Sequence, residues 1–171
     1  MTAPKVYIAS FFADKDRVRE RAHELIAAGM IVTARWYDEK AKPNATLKDF
    51  SDEYFRETAV FDIEDIIAAN TVVLTVPTPE QCMGLTSGQL SRGGRHFEAG
   101  FQYGLMMAQW LSSDFRYTNR RLILLGPKEN VFHYLDGQSV TIKYPMIQQY
   151  ETWDEVVADL KGEHERVNTT Y

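Results

Sequence analysis

A single cysteine, Cys82, occurs in 171 residues, so the chain has no internal disulfide and no thiolate set for a zinc site. Histidines are few as well, and neither His96 nor His133 has metal-ligand spacing to a second histidine or a carboxylate. Long apolar runs are missing: the longest fall far short of the ~20 residues that cross a bilayer. The N-terminal Met-Thr-Ala-Pro-Lys enters a strand-like run directly, without the apolar stretch of a secretory signal. Basic charge is scarce too, with 19 Lys and Arg against 24 Asp and Glu and a net charge of −5. That balance argues against a nucleic-acid backbone, which wants a basic stripe, yet leaves room for a small anion in a locally positive pocket. The expectation is a cytoplasmic protein with no metal, no cofactor, no membrane contact and no nucleic-acid polymer as partner.

Several catalytic signatures are missing in the same way. GxSxG does not occur, no Ser-His-Asp or Cys-His constellation stands out, and TPEQCMG has no P-loop lysine, which argues against an ordinary kinase or NTPase. What is present is an ordinary globular composition, 44% hydrophobic and 25% charged. The length fits one domain over residues 1–171, able to bury roughly 70% of its unfolded surface.

Strand and helix patterns alternate. KVYIAS (5–10) reads as a buried strand, followed by a helix opened by Asp14 and Asp16 and stopped at Gly29, where a left-handed cap is wanted. MIVTARW (30–36) reads as the second strand, and 37–50 as a polar loop. A second helix spans 51–70 with a break near Asp62, then TVVLTVP (71–77) is the third strand. A Gly-, Ser- and Thr-rich loop leads to a helix over 95–110, then to RRLILLGP (120–127) and to a short fifth strand within 142–150. TWDEVVADLKGEHERV closes the chain as a helix with Thr152 or Asp154 as its N-cap. Near-continuous apolar strands between helices imply a parallel sheet covered on both faces. Binding sites in such folds sit at the carboxyl ends of the strands, here marked by Ser10, Trp36, Pro77 and Gly126.

The segment SGQLSRGGRHFEAG is the most informative. Gly93 and Gly94 let the backbone approach a ligand, the helix start offers free N–H groups, and Arg92 and Arg95 suit a phosphate or sugar oxygens. Glu98 reads as an acid of the first helical turn, facing the crevice and held ionised by the helix dipole. The plainer alternative is a helix-start acid that complements the dipole or pairs with Arg95. Asp62, Glu64 and Asp65 precede a strand that ends in the same crevice, with Glu64 the best match for a solvated helix face. Phe11, Trp36 and Tyr37 are stacking surfaces for a base, or else core aromatics.

In order along most of residues 5–160, VYIAS, TARW, DIEDIIAANTVVL, RGGRHFEAGFQYGL, GPKENVFHYL and YETWDEVVADL together resemble the nucleoside 2-deoxyribosyltransferase family. GGRHFEAG with ENVFHYL is the most specific part. The resemblance implies an α/β, flavodoxin-like doubly wound sheet of about five mostly parallel strands, and a double displacement at the anomeric carbon of a nucleoside or nucleotide. It makes Glu98 the nucleophile, Tyr7 the hydroxyl that orients it, and Asp62 the acid that contacts deoxyribose or base. It also implies a homo-oligomer in which Asn130 and Phe132 complete a neighbouring subunit's site.

One departure divides the reading. Well-studied transferases carry an aspartate shortly before the nucleophile, whereas Glu80 is the only carboxylate between Pro77 and Glu98 here. Hydrolase relatives acting on deoxynucleoside 5′-monophosphates also lack it, and hold the phosphate with serines and backbone N–H groups. Ser10, Ser91, Gly93 and Gly94, with Arg92 or Arg95, match that use. Base exchange is the first expectation, hydrolysis of nucleotides the alternative, and a non-catalytic nucleotide-binding module the reading from another class.

Overall fold

The computed structural model describes residues 3–38, 50–83, 93–114, 118–135 and 145–169, without the side chains of Val131 and of 163–169. Along the chain run β1 (Lys5–Ala9), α1 (Lys15–Ala27), β2 (Ile31–Val32), α2 (Asp52–Ala68), β3 (Thr71–Thr75), α3 (Pro79–Cys82), α4 (Gly93–Ser112), β4 (Arg121–Leu125), β5 (Ile147–Tyr150) and α5 (Trp153–Thr169). All five strands are parallel, in the order β2-β1-β3-β4-β5. This is the flavodoxin-like doubly wound arrangement, with the order reversing between β1 and β3.

Burial explains the strands. Val6 to Ala9, Thr71 to Thr75 and Leu122 to Leu125 are buried throughout, as strands covered on both faces must be. Right-handed crossovers then place α2 and α4 side by side over β1 and β3, with α1 and α5 on the opposite face. On that opposite face Trp153 Nε1 donates to Glu24 at 2.7 Å, and the Arg21 guanidinium lies 4.9 Å above the Trp153 ring.

Several boundaries follow local chemistry. The Ser51 hydroxyl caps α2 by accepting from the Tyr54 N–H at 3.1 Å. Thr152 caps α5 reciprocally with Glu155, whose carboxylate accepts from the Thr152 N–H at 2.9 Å. Gly29 takes the expected left-handed conformation, φ 86°. Other expectations are corrected. α2 runs unbroken through Asp62, because half-buried Asp62 and buried Asp65 and Ile66 continue its inward face at helical spacing. β2 is only two residues long: as the edge strand it pairs with β1 alone, and the chain then curls into a 3₁₀ turn over Trp36–Asp38. The helix predicted from Arg95 starts at Gly93, which places Glu98 in its second turn and not its first.

Candidate active site

Tyr7 is the central residue of β1 and is fully buried, with its hydroxyl rising between α2 and α4. That hydroxyl donates to Glu98 Oε1 at 2.8 Å and stands 3.4 Å from Asp62 Oδ1. Three residues separated by up to 91 positions therefore meet at one phenolic oxygen. α4 buries Arg95, Ala99, Gln102 and Met106 against the sheet, a strict helical stripe. Glu98 lies on the flank of that stripe nearest α2, where it is partly buried.

Electrostatics separates the roles. Burial, reinforced by Glu98 and Asp62, raises the Tyr7 phenol far above its ordinary range, so it acts only as a hydrogen-bond donor to a carboxylate. Burial pushes the Glu98 carboxyl up to about 7, against the lowering effect of the Tyr7 hydrogen bond and with a further push from Asp62. The sequence expectation that the helix dipole keeps Glu98 ionised is thus corrected: desolvation outweighs it one turn inside the helix.

α2 is held in register by Arg35. Its backbone N–H and its guanidinium Nε both donate to Asp65 Oδ2, at 3.0 Å each, and its guanidinium lies 4.6 Å above the Phe61 ring. Glu64 is exposed, as its solvated reading required, and pairs with the same guanidinium at 3.3 Å. This clamp, which spacing gave no sign of, fixes the helix on which Asp62 sits.

The remaining predicted residues are less concentrated. Ser10, at the end of β1, donates its hydroxyl to buried Asp14 at 2.9 Å. Phe11 is buried, while its neighbour Phe12 is 40% exposed. Trp36 is buried and donates its indole N–H to the Ile8 carbonyl at 3.0 Å, which makes it a fixture of the core. Ser91 and Arg92 lie outside the described residues, and of Gly93 only its place at the start of α4 is described. Gly94 has open space around it. Arg95 does not flank the turn as a free cation. It is 2% exposed, turned under α4, and bonded through Nη2 to Glu129 at 2.8 Å, while its Nε and Nη1 hydrogens have no acceptor among the described residues.

Glu129 ties α4 to the segment after β4. Its backbone N–H donates to His133 Nδ1 at 3.1 Å, and Asn130 caps the following 3₁₀ turn by accepting from the Phe132 N–H at 2.9 Å. Burial, followed by the nearby His96, lowers the His133 pKa and keeps the ring neutral. Beside it a hollow of about 530 Å³ opens, lined by Leu122, Leu124, Ile147, Asn130 and Phe132 among others. Tyr7, Glu98 and Asp62 do not border this hollow. The candidate site is the place where Tyr7, Glu98 and Asp62 meet.

The fold is shared with solved structures. A conserved protein from Enterococcus faecalis V583 superposes with a TM-score of 0.52 at 10% identity, over 95% of this chain and 99% of that one. A looser superposition, with a TM-score of 0.43 at 15% identity, is to the CMP N-glycosidase BcmB of Clostridium botulinum, over 93% of this chain and 98% of that one. No family model and no curated protein matches the chain. Likeness at these identities concerns the fold alone.

Proposed function

We propose that the chain cleaves the base–sugar bond of 2′-deoxyribonucleosides through a covalent glycosyl-Glu98 and transfers the sugar to another base. The observation that carries this reading is the Tyr7 hydroxyl, 2.8 Å from Glu98 and 3.4 Å from Asp62, at the crevice where the sheet order reverses. The ordered resemblance of six sequence segments to the nucleoside 2-deoxyribosyltransferase family supports it independently.

Ionised Glu98 attacks the anomeric carbon. The C–O bond forms as the C–N bond breaks, and the electron pair leaves with the base. The base departs as its anion and takes its proton from water, while Asp62, the second carboxyl at the site, contacts the deoxyribose or the base. In the second step an incoming base attacks the same carbon, Glu98 departs as a carboxylate, and water takes the proton the acceptor releases. Tyr7 stabilises the ionised form of Glu98 in both free states by donating to it.

The test is base exchange. Deoxyinosine incubated with free adenine is expected to yield deoxyadenosine on a chromatogram, and Glu98→Gln is expected to abolish it. Release of free hypoxanthine and deoxyribose without deoxyadenosine would sink the transfer reading. Arg95 favours a second reading, hydrolysis of deoxynucleoside 5′-monophosphates, because its Nε and Nη1, near the start of α4, have no acceptor among the described residues, and a phosphate would provide one. We further read the chain as a homo-oligomer in which Asn130 and Phe132 complete a neighbouring site. In support, Phe132 is 70% exposed beside the apolar hollow.

A further inference from the structure

A tight aromatic cluster crowns the first turn of α2. Phe50 and Tyr54 stack at 4.5 Å with their planes 16° apart, and Phe55 meets both edge-on, with centroids 5.9 Å away in each case. Clusters of this kind normally form in a core, yet Phe55 is 37% exposed. Its position in the helix gives the exposure a meaning. Phe55 precedes Asp62 by seven residues, which is two helical turns to within about 20°, so it shares the crevice face and stands about 10 Å nearer the helix start. Because α2 runs antiparallel to the strands, and enters β3 directly through Ala69 and Asn70, its start lies at the carboxyl edge of the sheet. Phe55 therefore overhangs the crevice in which Tyr7, Glu98 and Asp62 meet. The rings expected from the sequence to stack, Phe11, Trp36 and Tyr37, are all buried in the core.

We propose that Phe55, braced by Phe50 and Tyr54, is the platform on which the substrate's nucleobase stacks. This rests on the functional reading above, since it places the base relative to a sugar held at Glu98 and Asp62. A ring fixed by two edge contacts offers a flat apolar face at little entropic cost, and stacking tolerates any base because every base has a π-face. The platform thus sets affinity for heteroaromatic bases in general and leaves the choice among them to polar groups elsewhere.

The probe is 2-aminopurine, a base with no bond to cleave, whose fluorescence is quenched when it stacks on an aromatic ring. The wild-type chain is expected to bind and quench it. Phe55→Ala and Phe55→Leu are expected to weaken that binding by about tenfold or more, while Phe55→Trp retains it. Phe55→Leu preserves apolar bulk, so its circular dichroism and melting curve separate lost stacking from lost folding. Undiminished quenching in both Phe55→Ala and Phe55→Leu overturns the proposal, and so does loss on Phe12→Ala alone or a change only in oligomeric state. The base-exchange assay reports separately on the chemistry. Exchange with Phe55-indifferent base binding sinks the platform, whereas base binding through Phe55 with no glycosyl turnover sinks the catalytic reading.

Discussion

Tyr7 has one proton to donate and two carboxylates within reach, and it gives that proton to Glu98, the nearer by 0.6 Å at 2.8 against 3.4 Å. The bond favours the ionised form that a nucleophile needs, while burial opposes it and leaves Glu98 near 7. Activity is therefore expected to rise with pH through about 7 as Glu98 ionises. In Tyr7→Phe the acid limb of kcat/KM should move to higher pH, because the lowering hydrogen bond is gone. In Asp62→Asn the limb should move to lower pH, because the like charge is gone, and turnover should fall because the contact of the second carboxyl with the substrate is lost. Profiles in which both variants shift the limb the same way would contradict these assignments. Stability carries the same signature. A carboxyl raised in the folded state binds protons more tightly folded than unfolded, so its stabilising contribution is complete below the unfolded value near 4.5 and is lost as pH rises through about 7. Glu98→Gln removes that loss, up to about 3 kcal/mol. Its melting temperature should exceed the wild type's by several degrees at pH 8 and match it near pH 5, as calorimetry would show.

Gly126 shows at the level of elements how the sheet's carboxyl edge is built. At φ 106° the chain turns off β4 so closely that an added Cβ would lie 2.4 Å from the Val76 carbonyl oxygen. Gly126→Ala is expected to cost about 2 kcal/mol or more, through both strain and overlap, read as a lower denaturation midpoint in urea. Equal midpoints would mean that the edge relaxes freely. At the opposite end of the sheet, Gln102 donates to the carbonyls of Asn70 and Arg121 at 3.2 and 2.9 Å, joining α4 to the starts of β3 and β4. Strands β1, β3 and β4 were readable from sequence because burial on both faces leaves an uninterrupted apolar run. β2 was overextended to Trp36 because an apolar aromatic continues the pattern whether it pairs in a ladder or curls into a turn. The break expected in α2 near Asp62 does not form, because Asp62 lies on the inward face of the helix, where its carboxylate meets the Tyr7 hydroxyl. Tyr7, Glu98 and Asp62 came through family resemblance. The Arg35–Asp65 clamp and the Arg95–Glu129 pair join residues 30 and 34 positions apart, and neither periodicity nor a local motif carries a partner at that range.

In the whole molecule, the reactive face and its opposite are built differently. α1 and α5 are joined by Trp153, Glu24 and Arg21, whereas α2 and α4 stand apart enough for a phenol and two carboxylates to meet between them. The same face exposes Phe97, at 61%, and Phe132 near the hollow beside α4. Sedimentation is accordingly expected to show a dimer or larger, with Phe132→Asp shifting it toward monomers and reducing turnover. An active wild-type monomer would remove Asn130 and Phe132 from the site.

The proposed reaction depends on a sugar becoming bonded to Glu98. The direct measurement is rapid acid quenching of the chain with deoxyinosine, followed by mass mapping of its peptides. One deoxyribosyl group on the peptide that contains Glu98, absent in Glu98→Gln, is the predicted result. Undiminished turnover in Glu98→Gln, or the sugar found on another residue, would contradict it.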